Sequence, residues 1–301
     1  MRGGAAVAVL AAAGLLPQTA PAEAQAAAAR DEFAHLPDTI VLTGTLRDFR
    51  AHGKPGGHPD FQRYNTGHIV GLVQDQLDRD GKPVLKSTSG YKVDTEYRDR
   101  QGNNINPSMY DGSKGDRAGK LSTHKGTAIT SAESFRQWYR DVPGVNMSAA
   151  YPIELRREPG TAKYVFHAHD IDSTPEIEGF FPADGQLFND MNSQYKHNFY
   201  LTYELETEFV YHRGAGERFT FYGDDDVWVF IDGKLVIDLG GVHGAVSQTI
   251  ELDRLDWLQD GRTYDLKLFF AERHTTRSNF RVETTMQLRT IDLPATAGLY
   301  D

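Results

Sequence analysis

The most informative stretch of the chain runs from Phe219 to Gly244 and reads FTFYGDDDVWVFIDGKLVIDLGGVHG. Asp232-Gly233 separates two apolar runs, and this dipeptide favours a two-residue type I′ turn because both turn positions need a positive φ. Such a turn fixes the register of a β-hairpin, since residues counted outward from it face one another. The predicted pairs are Ile231 with Lys234, Phe230 with Leu235, Val229 with Val236, Trp228 with Ile237 and Val227 with Asp238.

This register also predicts which side of the hairpin is buried. Cross-strand partners share a face of a sheet, so the larger apolar residues collect on one side. That predicted core face consists of Trp228, Phe230, Leu235 and Ile237.

The same register places three adjacent acids at the open end of the hairpin. Asp226 is predicted to lie opposite Leu239. Adjacent like charges disfavour ionisation unless a cation lies between them. A hard divalent cation, which takes about six to eight oxygens, meets that need. Glycines lack a Cβ and let a ligand approach the backbone closely. The candidate site is Asp224, Asp225, Asp226, Gly240, Gly241 and His243. A solvated acidic turn, with charges that repel into water, fits the composition equally well.

The remaining pattern predicts an all-β protein. Apolar and polar residues alternate over short segments, at spacings typical of an antiparallel sandwich or barrel. The predicted strands are 39–46, 164–168, 197–211, 217–222, 227–231, 234–239, 246–252, 263–270 and 279–289.

One short helix is predicted after Thr130. Thr130 and Glu133 have the spacing of a capping box, and Pro143-Gly144 ends the pattern. An aromatic face, expected to pack on a sheet, is formed by Phe135, Trp138 and Tyr139. The preceding residues 87–125 are polar and rich in turn signals, which indicates an insertion or a long loop.

Together these segments resemble the fibro-slime domain, a family related to the PA14 domain. The hairpin FYGDDDVWVFIDGKLVIDLGGVH is followed by FFAERHTTRSNF and preceded by RDF, HPDF, WYRDVPGVN and HNFYLT. The resemblance extends from about Leu46 to Thr285 and implies a PA14-like antiparallel β-sandwich with long loops and one or two short helices.

The resemblance also implies a cation site. In sugar-binding PA14 domains, two consecutive aspartates at this hairpin entrance are joined by a cis peptide bond and chelate Ca²⁺, which coordinates sugar hydroxyls directly. Those aspartates correspond to Asp224 and Asp225, and Asp226 replaces the small or polar residue that usually follows. In this family the loop after the predicted strand 263–270 borders the same end, so Asn279 is predicted to give calcium a carbonyl oxygen.

Other polar residues form the predicted rim of this site. Glu272 and Arg273 are expected to hydrogen-bond sugar hydroxyls, or alternatively to pair with strand neighbours and hold the loop. His243 either contacts the ligand or makes a structural hydrogen bond. His167 and His169 share a face near Asp170, but no third metal ligand is identifiable, and an ordinary strand end explains them.

The composition excludes several other functions. The chain has 301 residues and no cysteine, which removes disulfide frameworks, thiolate metal sites and cysteine nucleophiles. Its formal charge of −10 argues against a nucleic-acid partner, because no basic surplus exists to displace counterions.

The N-terminus indicates export. Residues 1–26 have a basic start, a short apolar run and small residues at a cleavage site, as in a signal peptide. A linker at 27–38, one domain at 39–290 and a C-terminal tail at 291–301 are expected to follow. We therefore expect a protein that is secreted, periplasmic or on the cell surface, without a membrane span.

The expected function is Ca²⁺-dependent carbohydrate binding by an adhesin-like or lectin-like module, with no catalytic residues. A structural extracellular-matrix protein, with an acidic hairpin that rigidifies a loop, is the first alternative. A polysaccharide hydrolase is the second. Glycosidases need two carboxylates about 5–10 Å apart in a cleft, and the adjacent acids here suit an ion better.

Overall fold

The computed structural model describes residues 31–168 and 179–290. The predicted signal peptide, the C-terminal tail, His169 and Asp170 lie outside the described residues, as does the start of the linker. The strands are β1 (Thr39–Asp48), β2 (Ile69–Val70), β3 (Tyr91–Thr95), β4 (Lys120–Thr123), β5 (Met147–Arg157), β6 (Tyr164–His167), β7 (Leu201–Val210), β8 (Arg218–Gly223), β9 (Asp226–Ile231), β10 (Lys234–Leu239), β11 (Val246–Glu251), β12 (Thr263–Glu272), β13 (Phe280–Thr284) and β14 (Arg289–Thr290). The α-helix of this part is α1 (Ala132–Arg136), and no helix in it is long and apolar enough to cross a membrane.

The strands confirm the predicted all-β class. Eleven of them form one antiparallel sheet in the order β10-β9-β12-β7-β1-β5-β6-β13-β8-β11, with β14 paired to β7. The two end strands, β10 and β11, are joined through the side chain of Gln248, so the sheet is rolled almost into a barrel. A second sheet, β2-β3-β4, has three strands and draws two of them from the polar stretch 87–125.

The rolled sheet encloses the first core. Its residues alternate along each strand with residues of the outer face, as the pleat requires. The largest members include Tyr203, Phe221, Phe270 and Phe280, all fully buried.

The second core lies on the outer face of β9 and β12, beneath α1 and the segment 49–73. It is mainly aromatic, and its members include Phe61, Trp138, Trp228 and Phe269. Every residue of β9 is therefore buried, because the strand separates the two cores. Phe135, Trp138 and Tyr139 are buried in this core as expected, but α1 ends at Arg136, so Trp138 and Tyr139 lie in the turn that follows the helix and not on a helical face.

The hairpin turn adopts the predicted backbone, with φ of 52° at Asp232 and 69° at Gly233. The register holds for the first two pairs and is wrong beyond them. A β-bulge at Val236 shifts the strands by one residue, so the outer pairs are Val229 with Ile237, Trp228 with Asp238 and Val227 with Leu239.

The bulge also corrects the predicted core face. Trp228, Phe230 and Leu235 do share the second core. Ile237 lies in the first core instead, together with Val236. An extra residue in one strand reverses the faces of the residues that follow it, and here both faces are apolar.

The helix cap lies one residue later than predicted. Ser131 is the N-cap, and Ser134 completes the capping box. Thr130 is engaged elsewhere, because its backbone N–H donates to Asp60 Oδ1 (2.7 Å) and its hydroxyl pairs with Tyr64 (2.8 Å).

Candidate cation site

The acidic run lies where two strand connections meet at one end of the rolled sheet. Asp224 and Asp225 form the link between β8 and β9, and the peptide bond between them is cis, as the resemblance implies. The connection between β12 and β13 covers the same end and includes Arg273 and Asn279.

Three hydrogen bonds join Asn279 to Asp224. Its backbone N–H donates to Asp224 Oδ1 (2.5 Å), and its side-chain amide donates to Oδ2 (2.7 Å). The Asp224 N–H donates in turn to the Asn279 carbonyl (3.2 Å). Glycine is required at 223, because a Cβ there would lie 2.1 Å from the same carbonyl oxygen. The Asn279 side-chain amide thus orients the Asp224 carboxylate, whereas its role as a carbonyl ligand of calcium stays a prediction.

Asp225 ties two loops together through its carboxylate. Oδ1 accepts from the backbone N–H of His243 (3.1 Å), and Oδ2 accepts from that of Arg273 (3.1 Å). Backbone donors leave lone pairs on both oxygens, so this carboxylate can still bind a cation.

Asp226 forms a buried ion pair with Arg273 (2.6 Å). The other carboxylate oxygen accepts from Gly241 N (2.6 Å). The guanidinium also donates to the Ala128 carbonyl (2.9 Å) and lies 4.9 Å from the centroid of the Trp138 ring. Both charged side chains have no exposed surface, and their partners match the structural alternative given for Arg273.

The protein's own backbone fills the space beside the two glycines. Gly241 has a φ of 93°, and a Cβ there would lie 2.6 Å from the Gly67 carbonyl oxygen. A Cβ on Gly240 would lie 2.9 Å from the Ile69 carbonyl oxygen. The close approach predicted at this pair is thus made by the segment 67–69.

Glu272 is a fourth buried carboxylate, and one of its two oxygens has no hydrogen-bond partner. Oε1 accepts one long hydrogen bond from His274 N (3.3 Å), and Oε2 accepts none. Burial raises its pKa well above the usual range, and the charges of Asp225 and Asp224 raise it further.

When its acids are ionised, the cluster carries more negative charge than its surroundings neutralise. It contains four buried carboxylates and one buried guanidinium, which contacts only Asp226 as an ion pair. Burial raises the pKa of Asp224 to about 6, and burial also raises that of Asp225 well above its usual value. A cation with oxygen ligands suits Asp224, Asp225 and Glu272, since it would replace the missing counter-charge. Within 31–168 and 179–290, no group of three or more His, Asp or Glu side chains has its ligand atoms already placed to hold a metal ion.

His243 closes the other side of Asp225. Its Nδ1 contacts the Gly244 carbonyl (2.8 Å), its Nε2 has no partner, and its ring lies 5.4 Å from that of His68. Burial, and then the charge of His68, lowers its pKa to about 4. The imidazole is therefore neutral at pH 7 and offers a lone pair to a ligand.

The predicted site residues come together, but almost entirely below the surface. Asp224 is 4% exposed, Asp225 is 3% exposed, and Asn279 and His243 are each 9% exposed. Sequence reasoning missed Gln62, whose backbone N–H donates to the Arg273 carbonyl (2.6 Å). The HPDF motif beside it was a usable signal, since its Phe61 is fully buried.

Comparison with known proteins agrees with this architecture. A family model described as the PA14 domain matches residues 188–293. Protein psiQ of Dictyostelium discoideum is 37% identical over 263 residues, which cover 83% of this chain and 22% of psiQ. Protein psiD of the same organism is 32% identical over 257 residues, which cover 83% of this chain and 42% of psiD.

Among solved structures, the PA14 domain of MpAFP antifreeze protein matches 33% of this chain and 57% of that one, at 12% identity and a TM-score of 0.23. The sequence and family matches carry the assignment. The chain is a PA14-containing protein of the fibro-slime-like type, homologous to the psi proteins, so the resemblance drawn from its sequence is confirmed. It spans about a fifth to two fifths of the length of these two relatives.

Proposed function

We propose that this protein is an extracellular carbohydrate-binding module that holds Ca²⁺ at Asp224 and Asp225. The observation that carries the proposal is the group of buried carboxylates without sufficient counter-charge at this end of the sheet. Sugar-binding PA14 domains carry paired aspartates at the same place, which supports calcium as the cation and a saccharide as the ligand.

Asp224 and Asp225 are the primary ligands in this proposal. Each keeps lone pairs that its protein hydrogen bonds do not use, and hard divalent cations prefer such oxygens. Asn279 fixes the orientation of Asp224, so its side chain acts on the ion through that carboxylate.

The sugar would meet the rim of the site, because the acids themselves lie just below the surface. Gly244, Thr276 and Arg277 are exposed beside them and can offer backbone and side-chain hydrogen bonds to hydroxyls. Asp226 and Arg273 have no exposed surface and would support the rim from beneath.

The test is calcium titration by calorimetry on the wild type and on Asp224→Asn/Asp225→Asn, followed by a glycan array with calcium or chelator. We expect calcium binding and calcium-dependent glycan binding in the wild type, and neither in the double variant. Circular dichroism should show that the variant keeps its fold. Unchanged calcium binding in the double variant would refute the site.

The same array separates the alternatives. A matrix protein would leave the array silent and self-associate, whereas a hydrolase would degrade a polysaccharide without added metal. Export by the predicted signal peptide belongs to the proposal as well, and secretion of the full chain with cleavage near residue 26 would support it.

A further inference from the structure

We infer that Glu272 is a third protein carboxylate for the cation at Asp224 and Asp225, and binds it from beneath. This inference rests on the proposed function. It assigns Glu272 to the metal, whereas the sequence suggested a contact with sugar hydroxyls.

The strand register places Glu272 next to the acidic pair. Ala271 of β12 pairs with Asp226 of β9. One further step along this antiparallel ladder sets Glu272 opposite Asp225, and opposed residues direct their side chains to the same face. The Arg273 N–H donates to Asp225 Oδ2 (3.1 Å), which confirms that the two chain segments stay adjacent beyond the ladder.

The charged side chains at the end of β12 lie on opposite faces of the strand. Ala271 faces the second core, and Arg273, two residues on, turns to the same side and pairs with Asp226. Glu272 points to the opposite side, with Phe270 of the first core. The guanidinium thus neutralises the acid on its own face, and Asp225 and Glu272 share a face without a contacting cationic side chain among the described residues.

Burial excludes the rim as the place where Glu272 acts. The residue has no exposed surface, so a saccharide at the rim cannot reach it. Its Oε2 has no hydrogen-bond partner, although a buried ionised oxygen without one is costly. A divalent cation between Glu272 and Asp225 would satisfy this oxygen and remove the repulsion between the two groups.

A buried, protonated Glu272 is the competing explanation, and one variant separates the two. Glu272→Gln keeps the shape of the side chain and removes its charge. A ligand role predicts opposite effects in the two states. Without calcium, the variant should melt at the same or a higher temperature than the wild type, because a repulsive charge is gone. With calcium, its affinity should fall about tenfold or more, because one anionic ligand is lost.

The experiment uses the full chain and calcium chloride as the only probe. Calorimetry gives the dissociation constant, and thermal melts with calcium or chelator give the stabilisation that binding adds. Glu283→Gln is the matched control, since that residue is paired with Arg281 on the outer face and should leave calcium affinity unchanged. If Glu272→Gln does not fold, Glu272→Asp provides the second test: it keeps the charge, shortens the reach and should also weaken binding.

The outcomes separate the two proposals. Calcium affinity equal to wild type in Glu272→Gln, with binding lost in Asp224→Asn/Asp225→Asn, would overturn the role of Glu272 and leave the proposed function standing. Absence of calcium binding in the wild type would refute both. Loss of stability in Glu272→Gln with and without calcium, at unchanged affinity, would show a structural role only and overturn the inference.

Discussion

The side-chain amide of Gln248 joins the two ends of the rolled sheet by pairing with the backbone of Asp238. Gln248 Oε1 accepts from Asp238 N (2.9 Å), and Gln248 Nε2 donates to Asp238 O (3.0 Å). A fully buried amide thus replaces the backbone ladder that would close a complete barrel between β10 and β11.

Removing this amide should open the seam. Gln248→Ala leaves the buried Asp238 N–H without its acceptor, while the Asp238 carbonyl keeps only its contact with His68 Nε2 (3.2 Å). We therefore expect a loss of about 1–3 kcal/mol in the free energy of unfolding, measured by urea denaturation. Gln287→Ala, at an exposed position, serves as the control and should change stability by less than about 0.5 kcal/mol. Equal effects of the two substitutions would contradict this role.

The buried pair of Asp226 and Arg273 should behave as one unit. Arg273→Met leaves the Asp226 charge buried without its partner, so we expect a loss of about 3–5 kcal/mol. Adding Asp226→Asn to it should cost less than the sum of the two single changes. Arg156→Met removes an exposed pair with Glu154 and should cost less than about 1 kcal/mol. Additive costs in the Asp226–Arg273 cycle would argue against coupling.

Asp48 should make stability depend on pH. Burial raises its pKa to about 6, even though Phe188, Asn189 and Asn198 all donate to the carboxylate. A folded-state pKa above the unfolded value means that the native state binds more protons between about pH 4 and pH 6, so this group's contribution to stability falls as the pH rises through that window.

Asp48→Asn removes that dependence at a fixed cost in hydrogen bonding. The unfolding free energy of the variant, relative to wild type, should therefore improve by up to about 3 kcal/mol between pH 4 and pH 6.5. Denaturant melts across this range measure the difference. A constant gap between the two proteins would show that Asp48 does not titrate in this window.

The position of the helix cap can be tested directly. Ser131→Ala removes the side chain that accepts from Ser134 N (3.1 Å), so we expect a loss of about 1 kcal/mol. Glu133→Ala alters the exposed residue that the sequence assigned to the cap and should cost only about 0.3–1 kcal/mol, from its favourable place in the first turn. The reverse order of the two losses would restore the cap predicted from sequence.

Local chemistry explains which parts of the fold were predictable. The Asp232-Gly233 turn needs two positive φ values, and few other dipeptides supply them so readily. The bulge at Val236 was not readable, because both faces of the hairpin are apolar and no polar residue marks the shift. Strand β5 was missed for a related reason: Pro152 interrupts its pattern, yet it lies in the ladder opposite Thr43.

The residues of the candidate site were predictable from the sequence, whereas their burial below the surface was not. Asp224 and Asp225 stand out as adjacent acids at a turn, and the resemblance adds Asn279. The sequence could not indicate that Glu272 and Arg273 lie on opposite faces of β12 and meet different acids. Which acid each side chain meets depends on the strand that pairs with β12, and the sequence does not give that pairing. It also could not indicate that loop 67–69 covers the two glycines, since that contact joins distant parts of the chain.

The second core contains tryptophans whose fluorescence depends on the surroundings of the hairpin entrance. Two of the three tryptophans, Trp138 and Trp228, lie 6.2 Å apart between ring centroids in this core. The Arg273 guanidinium lies over one of them, and the other is two residues along β9 from Asp226. A movement of the hairpin entrance would change the surroundings of both indoles at once. Intrinsic fluorescence would therefore report such a movement in the unlabelled protein.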